Sequence, residues 1–458
     1  MTPFQNIGLF ILTILILLMI SVPPILFLVW YFYDKKQSQH SILRNFPLLG
    51  RIRYLLEMLG PEFRQYLFDS DSEGRPFSRS DFSNIVIQGK YLKTVIAFGS
   101  KRDFSKPGFY LRNSMFPKQK EEMKVNLSPK IPTKRYVGTE GLFSRTEHLE
   151  GVDVSPWTLP DENAIIIGPK CKEPWHVKGP VGMSAMSYGA LGENAISSIS
   201  HGLGMATGSW VHTGEGGLAP YHTIGGGDVI MQIGSGIFGV RNEDGSFSWE
   251  KFKEKASNPH LRCFEIKLAQ GAKIRGGHVE GSKINEEIAA IRGVKAWKTV
   301  DSPNRHNQFH DIPSLFDFID EMRNIGGKPI GIKLVMGGPD SADELTKLMS
   351  ETGRGPDFIT VDGSEGGTGA APTEFSDNIG SPLRDALVFV DNALIGAGLR
   401  DRVKVGASGK IISSYDILRI CALGADWVNM ARPFMFSLGC IQAKDCGSGH
   451  CPTGITTQ

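Results

Sequence analysis

The sequence predicts an α/β protein, a (β/α)8 TIM barrel preceded by an N-terminal transmembrane helix and an accessory region. Three observations carry this expectation. No charged residue occurs before Asp34 in the 458-residue chain. From residue 178 onward, eight short apolar runs alternate with helix-like stretches. The ends of those runs carry polar and glycine-rich segments, which a barrel gathers at its C-terminal face.

The first element is the apolar run Ile7–Tyr33, "IGLFILTILILLMISVPPILFLVWYFY". It exceeds the roughly 20 residues that cross a bilayer core and is too short for two spans. Pro23-Pro24 predicts a kink. Trp30, Tyr31 and Tyr33 are placed like an interfacial belt, and Lys35 and Lys36 follow at once. This pattern predicts a single-pass membrane protein whose catalytic domain is cytoplasmic. A cleaved signal peptide is disfavoured, because the run is too long, lacks a basic n-region and is followed by no small-x-small site. Residues 1–36 are therefore read as the anchor. Residues 37–160, rich in Arg, Lys, Phe and Asp with strand-like runs such as Thr94–Phe98, are read as an accessory region packed on the barrel. Residues 161–458 form the barrel. The net charge of +2, with no basic stripe interleaved with aromatics, speaks against nucleic-acid binding.

Within the barrel the expected strands are Val181–Ser187, Met205–His212, Val229–Ile233, Cys263–Leu268, Ile330–Val335, Phe358–Val361, Val403–Ala407 and Trp427–Met430. Helices are expected over Asn194–Gly202, Ile284–Ile291, Ile312–Ile325, Ser341–Glu351, Arg384–Ala397 and Ile412–Ala422. A doubly wound open sheet is the alternative architecture.

The strand ends hold the candidate chemistry. The first leads into Met183–Gly189, whose backbone amides suit close approach to a flat ring. The second leads into Thr213-Gly214-Glu215-Gly216-Gly217, and the third carries Gln232. The fourth gives Glu265-Ile266-Lys267, then Gln270 and Lys273, and the fifth Lys333. The seventh and eighth, Ala407-Ser408-Gly409-Lys410 and Ala431-Arg432, stand where such barrels bind phosphate. A lysine on a barrel strand points into a partly dry site, where an unpaired charge is costly, so Lys333 is read as functional rather than as a partner of Asp362. Lysines near Glu215 suit an acidic substrate, with Glu215 available for an ammonium or imine, although Gly-Glu-Gly-Gly alone reads as a solvated turn. Arg275, Lys283 and Arg292 read as solvated surface charges.

Near the end, Cys440, Cys446 and Cys451 form a C-x5-C-x4-C cluster followed by Pro452. Three thiolates on one loop suit an iron–sulfur cluster. Zinc, with His450 as fourth ligand, is the competing reading. Cys171, Cys263 and Cys421 stand singly in apolar stretches and read as core thiols. A phosphate site beside such a cluster points to flavin mononucleotide.

The stretches "MSAMSYGALG", "HTGEGG", "MQIGSGIFGV", "FEIKLAQGAK", "GIKLV", "DGSEGGTGAAP", "ALVFVDNALIGAGLRDRVKVGASGKI" and "GCIQAKDCGSGHCPTG" resemble the FMN-binding synthase domain of glutamate synthase, in its short membrane-associated relatives. The match covers roughly residues 60–458. The resemblance implies FMN lined by Ala185, Met186, Ser187, Gln232, Lys333, Gly367, Ser408, Gly409, Ala431 and Arg432. It implies a [3Fe-4S] cluster on Cys440, Cys446 and Cys451. It sets Glu215, Lys267, Gln270, Lys273 and Arg292 around the substrate, with Glu215, Lys267 and Lys333 catalytic. The implied reaction is reductive amination of 2-oxoglutarate by ammonia or an amino donor, with hydride from FMN giving L-glutamate. A separate electron donor, ferredoxin or a pyridine-nucleotide reductase subunit, is implied as well. Two other functions stay open: the same flavin chemistry on another 2-oxo or amino acid, and a degenerate electron-relay subunit at the membrane. The chain departs from the larger synthases in having no N-terminal nucleophilic cysteine, in Ile237 where they have a basic residue, in the sequence of its cysteine loop, and in ending at Gln458.

Overall fold

The computed structural model describes all residues except 1–2, 69, 98, 101, 138–148, 272–276, 368–370 and 457–458, together with the side chains of 3–6, 61, 62, 65 and 66. The chain divides into two compact units, Met1–Ser80 and Asp81–Gln458.

The first unit opens with the helix Pro3–Lys36, which stays helical through Pro23 and Pro24. Among the described residues, Ile7–Lys36 is the one segment long and apolar enough to cross a membrane. Two shorter helices, Ser41–Asn45 and Leu49–Phe63, follow.

In the second unit, eight strands form one sheet: β1 Val181–Met183, β2 Trp210–His212, β3 Asp228–Ile233, β4 Leu261–Lys267, β5 Ile330–Leu334, β6 Phe358–Asp362, β7 Lys404–Ser408 and β8 Trp427–Met430. Their spatial order is β1-β8-β7-β6-β5-β4-β3-β2, and every paired neighbour is parallel. The two ends of this sheet meet: the Ser209 hydroxyl donates to the Val181 carbonyl at 2.7 Å. The result is a nearly closed TIM-like barrel, not an open doubly wound sheet. Each expected strand is present, although β1 ends at Met183 and β2 begins only at Trp210, because the preceding helix Glu193–Ala206 takes up Met205.

The six expected helices are found, with boundaries set by local chemistry. Asn285, Asp311 and Ser413 cap their helices by accepting N–H groups of Ile288, Ser314 and Asp416. Gly327 and Gly353 end theirs in the left-handed conformation. The reading of the sequence passed over Trp249–Ala256, between β3 and β4, and Arg432–Ser437, after β8. Residues 94–97, read as strand-like, are irregular, and Phe98 lies outside the described residues. An antiparallel ribbon, Ile131–Tyr136 with Leu149–Val154, forms instead further along.

The barrel floor explains where the polar residues end up. Trp210, Ile230, Cys263, Phe358 and Trp427 form a buried apolar layer inside the strands. Room for the three large rings comes from glycines on other strands: a Cβ on Gly182, Gly331 or Gly406 would overlap Trp210, Phe358 or Trp427, respectively. Because side chains alternate across a strand, residues two further along face the same lumen one layer higher. Those residues are His212, Gln232, Glu265, Thr360 and Asn429, all buried. The layer above reaches the C-terminal rim.

Candidate active site

The polar layer is built around Glu265 of β4, whose side chain is 1% exposed. Its Oε2 lies 3.0 Å from His212 Nε2 and accepts Gln232 Nε2–H at 2.6 Å. Its Oε1 accepts the Thr360 hydroxyl at 2.5 Å. Burial pushes this carboxyl upward, but the His212 ring, Lys333 and the Thr360 hydrogen bond overcome that and hold it at about 2.

Directly above, Lys267 is 8% exposed and donates to Glu215 Oε1 and to Gln270 Oε1, each at 2.6 Å. Three sequence-predicted substrate residues are thus brought together, one from β4, one from the turn after β2 and one from the segment after β4. Glu215 is paired and half-buried, so the solvated-turn reading of Gly-Glu-Gly-Gly does not hold. His306 Nε2 lies 3.0 Å from the Lys267 carbonyl and fixes the backbone at this point.

Lys333 on β5 stands beside Lys267 in strand register. Like charges are tolerated there because each has its own anion: Lys333 Nζ lies 3.3 Å from Asp362 Oδ2. Asp362 also accepts the Ser408 hydroxyl at 2.6 Å and the Gly271 N–H at 2.9 Å. The residues Lys333, Asp362 and Ser408 therefore form one buried polar chain across β5, β6 and β7. Ser408 turns its hydroxyl inward to Asp362, and Gly409 and Lys410 follow in a turn with φ values of 134° and 51°. Arg432, after β8, packs against the backbone of Gly367, where any Cβ would collide with its guanidinium. Burial pulls the Arg432 guanidinium down from its ordinary value, while Asp362, Cys446 and Cys440 act in the opposite direction.

Arg292 is buried, not solvated: it is 4% exposed, its Nη2 donates to the Tyr188 carbonyl at 3.1 Å, and its guanidinium lies 5.3 Å from the centre of the Phe238 ring. Its Nε has no hydrogen-bond partner. Burial lowers its proton affinity and the nearby Glu215 carboxylate restores part of it. Lys283, also read as solvated, donates to the Cys446 carbonyl at 3.1 Å. Lys273 and Arg275 lie outside the described residues.

Ala185, Met186 and Ser187 follow β1 and meet the turn after β2, where a Cβ on Gly214 would fall 2.7 Å from the Ser187 nitrogen. Ala431 is partly buried against the core. In the cysteine loop, burial pushes the Cys440 and Cys446 thiols up, and Cys451 adds to the rise in both. Burial also opposes ionisation of Cys451, but hydrogen bonds from Thr453 and from the backbone N–H groups of Thr456, Thr453 and Ile455 bring it down to about 6. Among the described residues, no group of three or more His, Cys, Asp or Glu side chains converges on one metal position.

Residues 119–458 match the family described as the conserved region in glutamate synthase. The chain belongs to the glutamate synthase family. It is 52% identical over 440 residues to the glutamate synthase large subunit-like protein YerD of Bacillus subtilis, covering 96% of this chain and 84% of that one. It is 34% identical over 282 residues to the archaeal glutamate synthase [NADPH] of Methanocaldococcus jannaschii, covering 61% of this chain and 52% of that one. The chain thus spans about half the length of that archaeal glutamate synthase. Among solved structures, a mutant flavocytochrome b2 with pyruvate bound is 15% identical with a TM-score of 0.36, covering 61% of this chain and 62% of that one.

The sequence places Glu265 at a strand end without assigning it a role, and it does not single out His212, Thr360 or His306. A signal for Glu265 was present: Cys263, Glu265 and Lys267 share one face of β4, so a functional Lys267 makes Glu265 a lumen residue as well.

Proposed function

We propose that this member of the glutamate synthase family is an FMN-dependent oxidoreductase that aminates 2-oxoglutarate reductively to L-glutamate, with electrons from a separate protein. The observation that carries the reading is the Glu215–Lys267–Gln270 cluster at the barrel rim, with Lys333 alongside on β5. Lys267 and Arg292 are cations suited to the two carboxylates of a dicarboxylic 2-oxo acid, and each is held in a site largely closed to water. Glu215 accepts a hydrogen bond from the Lys267 ammonium and is the group suited to hold an ammonium or imine nitrogen.

The residues present fit FMN by their donor chemistry. The turn Gly409–Lys410 and Arg432 offer amides and a cation to a phosphate, and the absence of a side chain at Gly367 is what lets the Arg432 guanidinium pack there. Lys333 suits the pyrimidine side of the ring, where a cation balances negative charge. When bound, FMN supplies the hydride. The cysteine loop carries the thiol donors that an iron–sulfur cluster takes, and the Cys451 thiol, at about 6, is mostly ionised at neutral pH. Cys440, Cys446 and Cys451 would hold a [3Fe-4S] cluster, which would supply single-electron transfer. Ile7–Lys36 is proposed as a single membrane span with the barrel on the cytoplasmic side, as Lys35 and Lys36 indicate.

The test is to purify the full chain anaerobically, reduce it chemically, and add 2-oxoglutarate with ammonium. The expected result is reoxidation of a bound flavin with formation of glutamate. Reoxidation by a different 2-oxo acid alone overturns the substrate assignment, and a colourless protein without flavin or iron overturns the whole reading.

A further inference from the structure

The unit Met1–Ser80 carries a second apolar surface besides its long helix. In the helix Leu49–Phe63, Leu49, Ile52, Leu56, Leu59 and Phe63 fall on one narrow stripe at 3.6 residues per turn. Leu49, Ile52, Leu56 and Phe63 are exposed, and so are Leu67 and Phe68 just beyond.

The start of this helix is tied to the end of the long one. Asp34, two residues before the long helix ends, is enclosed: its Oδ2 accepts the Leu48 N–H at 3.1 Å and Arg51 Nε–H at 3.0 Å, and its Oδ1 accepts Arg51 Nη2–H at 2.6 Å. A carboxylate at this position complements the N-terminal end of the helix Leu49–Phe63 as well as pairing Arg51. The Arg51 guanidinium lies 5.4 Å from the Trp30 ring centre. If Ile7–Lys36 spans a bilayer, Trp30 and the two lysines after it mark the membrane–water interface. The apolar stripe then begins at that same depth. From residue 34 to residue 57 the basic side chains are Lys35, Lys36, Arg44, Arg51 and Arg53, against the acidic Asp34 and Glu57. An excess of positive charge next to an apolar helix face is the pattern of a segment that lies on an anionic leaflet.

We propose that residues 49–68 form a second membrane element, lying in the interface of the anionic leaflet from which the spanning helix emerges. The occupant of the stripe is lipid: Ile52, Leu56 and Phe63 face the acyl boundary, and Arg53 and Glu57 face the headgroups and water. This inference rests on the reading of Ile7–Lys36 as a span, and its test separates the two.

Full-length chain is prepared with the photoreactive residue p-benzoylphenylalanine at one position at a time: Ile52, Leu56, Glu57 on the polar edge, or Ile16 in the long helix. Each protein is reconstituted into vesicles of phosphatidylcholine with phosphatidylglycerol, irradiated, and analysed for adducts by mass spectrometry. Lipid adducts at Ile52 and Leu56 are expected at yields near that of Ile16 and about tenfold above that of Glu57, as for two sides of an interfacial helix. Replacing phosphatidylglycerol with phosphatidylcholine is expected to lower the yields at Ile52 and Leu56 and leave Ile16 unchanged. Lipid adducts at Ile16 but protein adducts at Ile52 and Leu56, to the barrel or to a second copy, overturn the interfacial helix and leave the span standing. No lipid adduct at Ile16 overturns both.

Discussion

Replacing Glu265 with Gln probes the buried layer that carries the site. In the native protein the carboxylate meets His212 Nε2 at 3.0 Å, Gln232 at 2.6 Å and the Thr360 hydroxyl at 2.5 Å. A Gln of the same shape keeps one acceptor oxygen but turns an amide N–H2 toward groups that already donate. The downward displacement of the Glu265 carboxyl from 4.5 to about 2 corresponds to about 3 kcal/mol of stabilisation of the charged form. Breaking a buried charged pair costs about 3–5 kcal/mol by independent precedent, which agrees in size. The sign follows from linkage: the folded-state value is depressed, so the stabilisation is fully present above the unfolded value of 4.5 and fades as pH falls toward 2. The assay is urea unfolding of the full chain in detergent, followed by tryptophan fluorescence, at neutral pH and again near the bottom of that window. Glu265→Gln is expected to lose about 3 kcal/mol at neutral pH, and the difference from the native chain is expected to shrink on acidification. A loss below about 1 kcal/mol, or a loss independent of pH, refutes the assignment of Glu265 as the electrostatic centre of the lumen.

Other perturbations read other layers. Gly331→Ala puts a Cβ 2.3 Å from the Phe358 ring and is expected to destabilise by about 1–3 kcal/mol in the same unfolding assay, with flavin binding retained in the folded fraction. Gly353→Ala meets no neighbour but must adopt φ +69°, so a loss of only about 1 kcal/mol is expected, from backbone strain alone. Lys267→Met is expected to lower glutamate formation at least about 100-fold with the fold intact by circular dichroism, since it removes the cation held by Glu215 and Gln270. Cys451→Ser is expected to abolish iron binding measured by metal analysis while leaving the barrel's unfolding midpoint unchanged; full iron content refutes its place among the ligands.

The barrel was legible in the sequence because its strands are short, apolar and separated by helices with recognisable caps. The period of 3.6 in Ile312–Gly326 and the Asp311 cap are local signals that tertiary contacts did not overrule. Trp249–Ala256 was missed although Trp249, Phe252 and Ala256 recur at helical spacing, because its charged majority hides eight residues of weak pattern. The Glu215–Lys267–Gln270 cluster was legible as residue types at strand ends, yet one of its two hydrogen bonds joins positions 52 residues apart and depends on the pairing of β2 and β4 with β3. Arg292 shows the opposite failure. A lone arginine in a polar-looking helix reads as solvated, and only the packing of that helix against Tyr188 and Phe238 buries it.

The single strand β4 shows why structure and chemistry are inseparable in this lumen. Cys263, Glu265 and Lys267 are successive inward positions, and they pass from an apolar floor through a buried carboxylate to a cation at the rim. Each level sets the dielectric surroundings of the next. The aromatic floor excludes water from beneath Glu265, which is why its ionised form requires His212, Gln232 and Thr360 together. The fixed carboxylate in turn lies one layer below Lys267 and contributes to the field around Lys333. A one-residue slip of β4 would turn all three side chains out of the lumen and bring Phe264 and Ile266 inward. Those two apolar residues already pack on the helix side of the sheet, in the main hydrophobic core, so the register that buries them is the same register that presents Lys267 to the site.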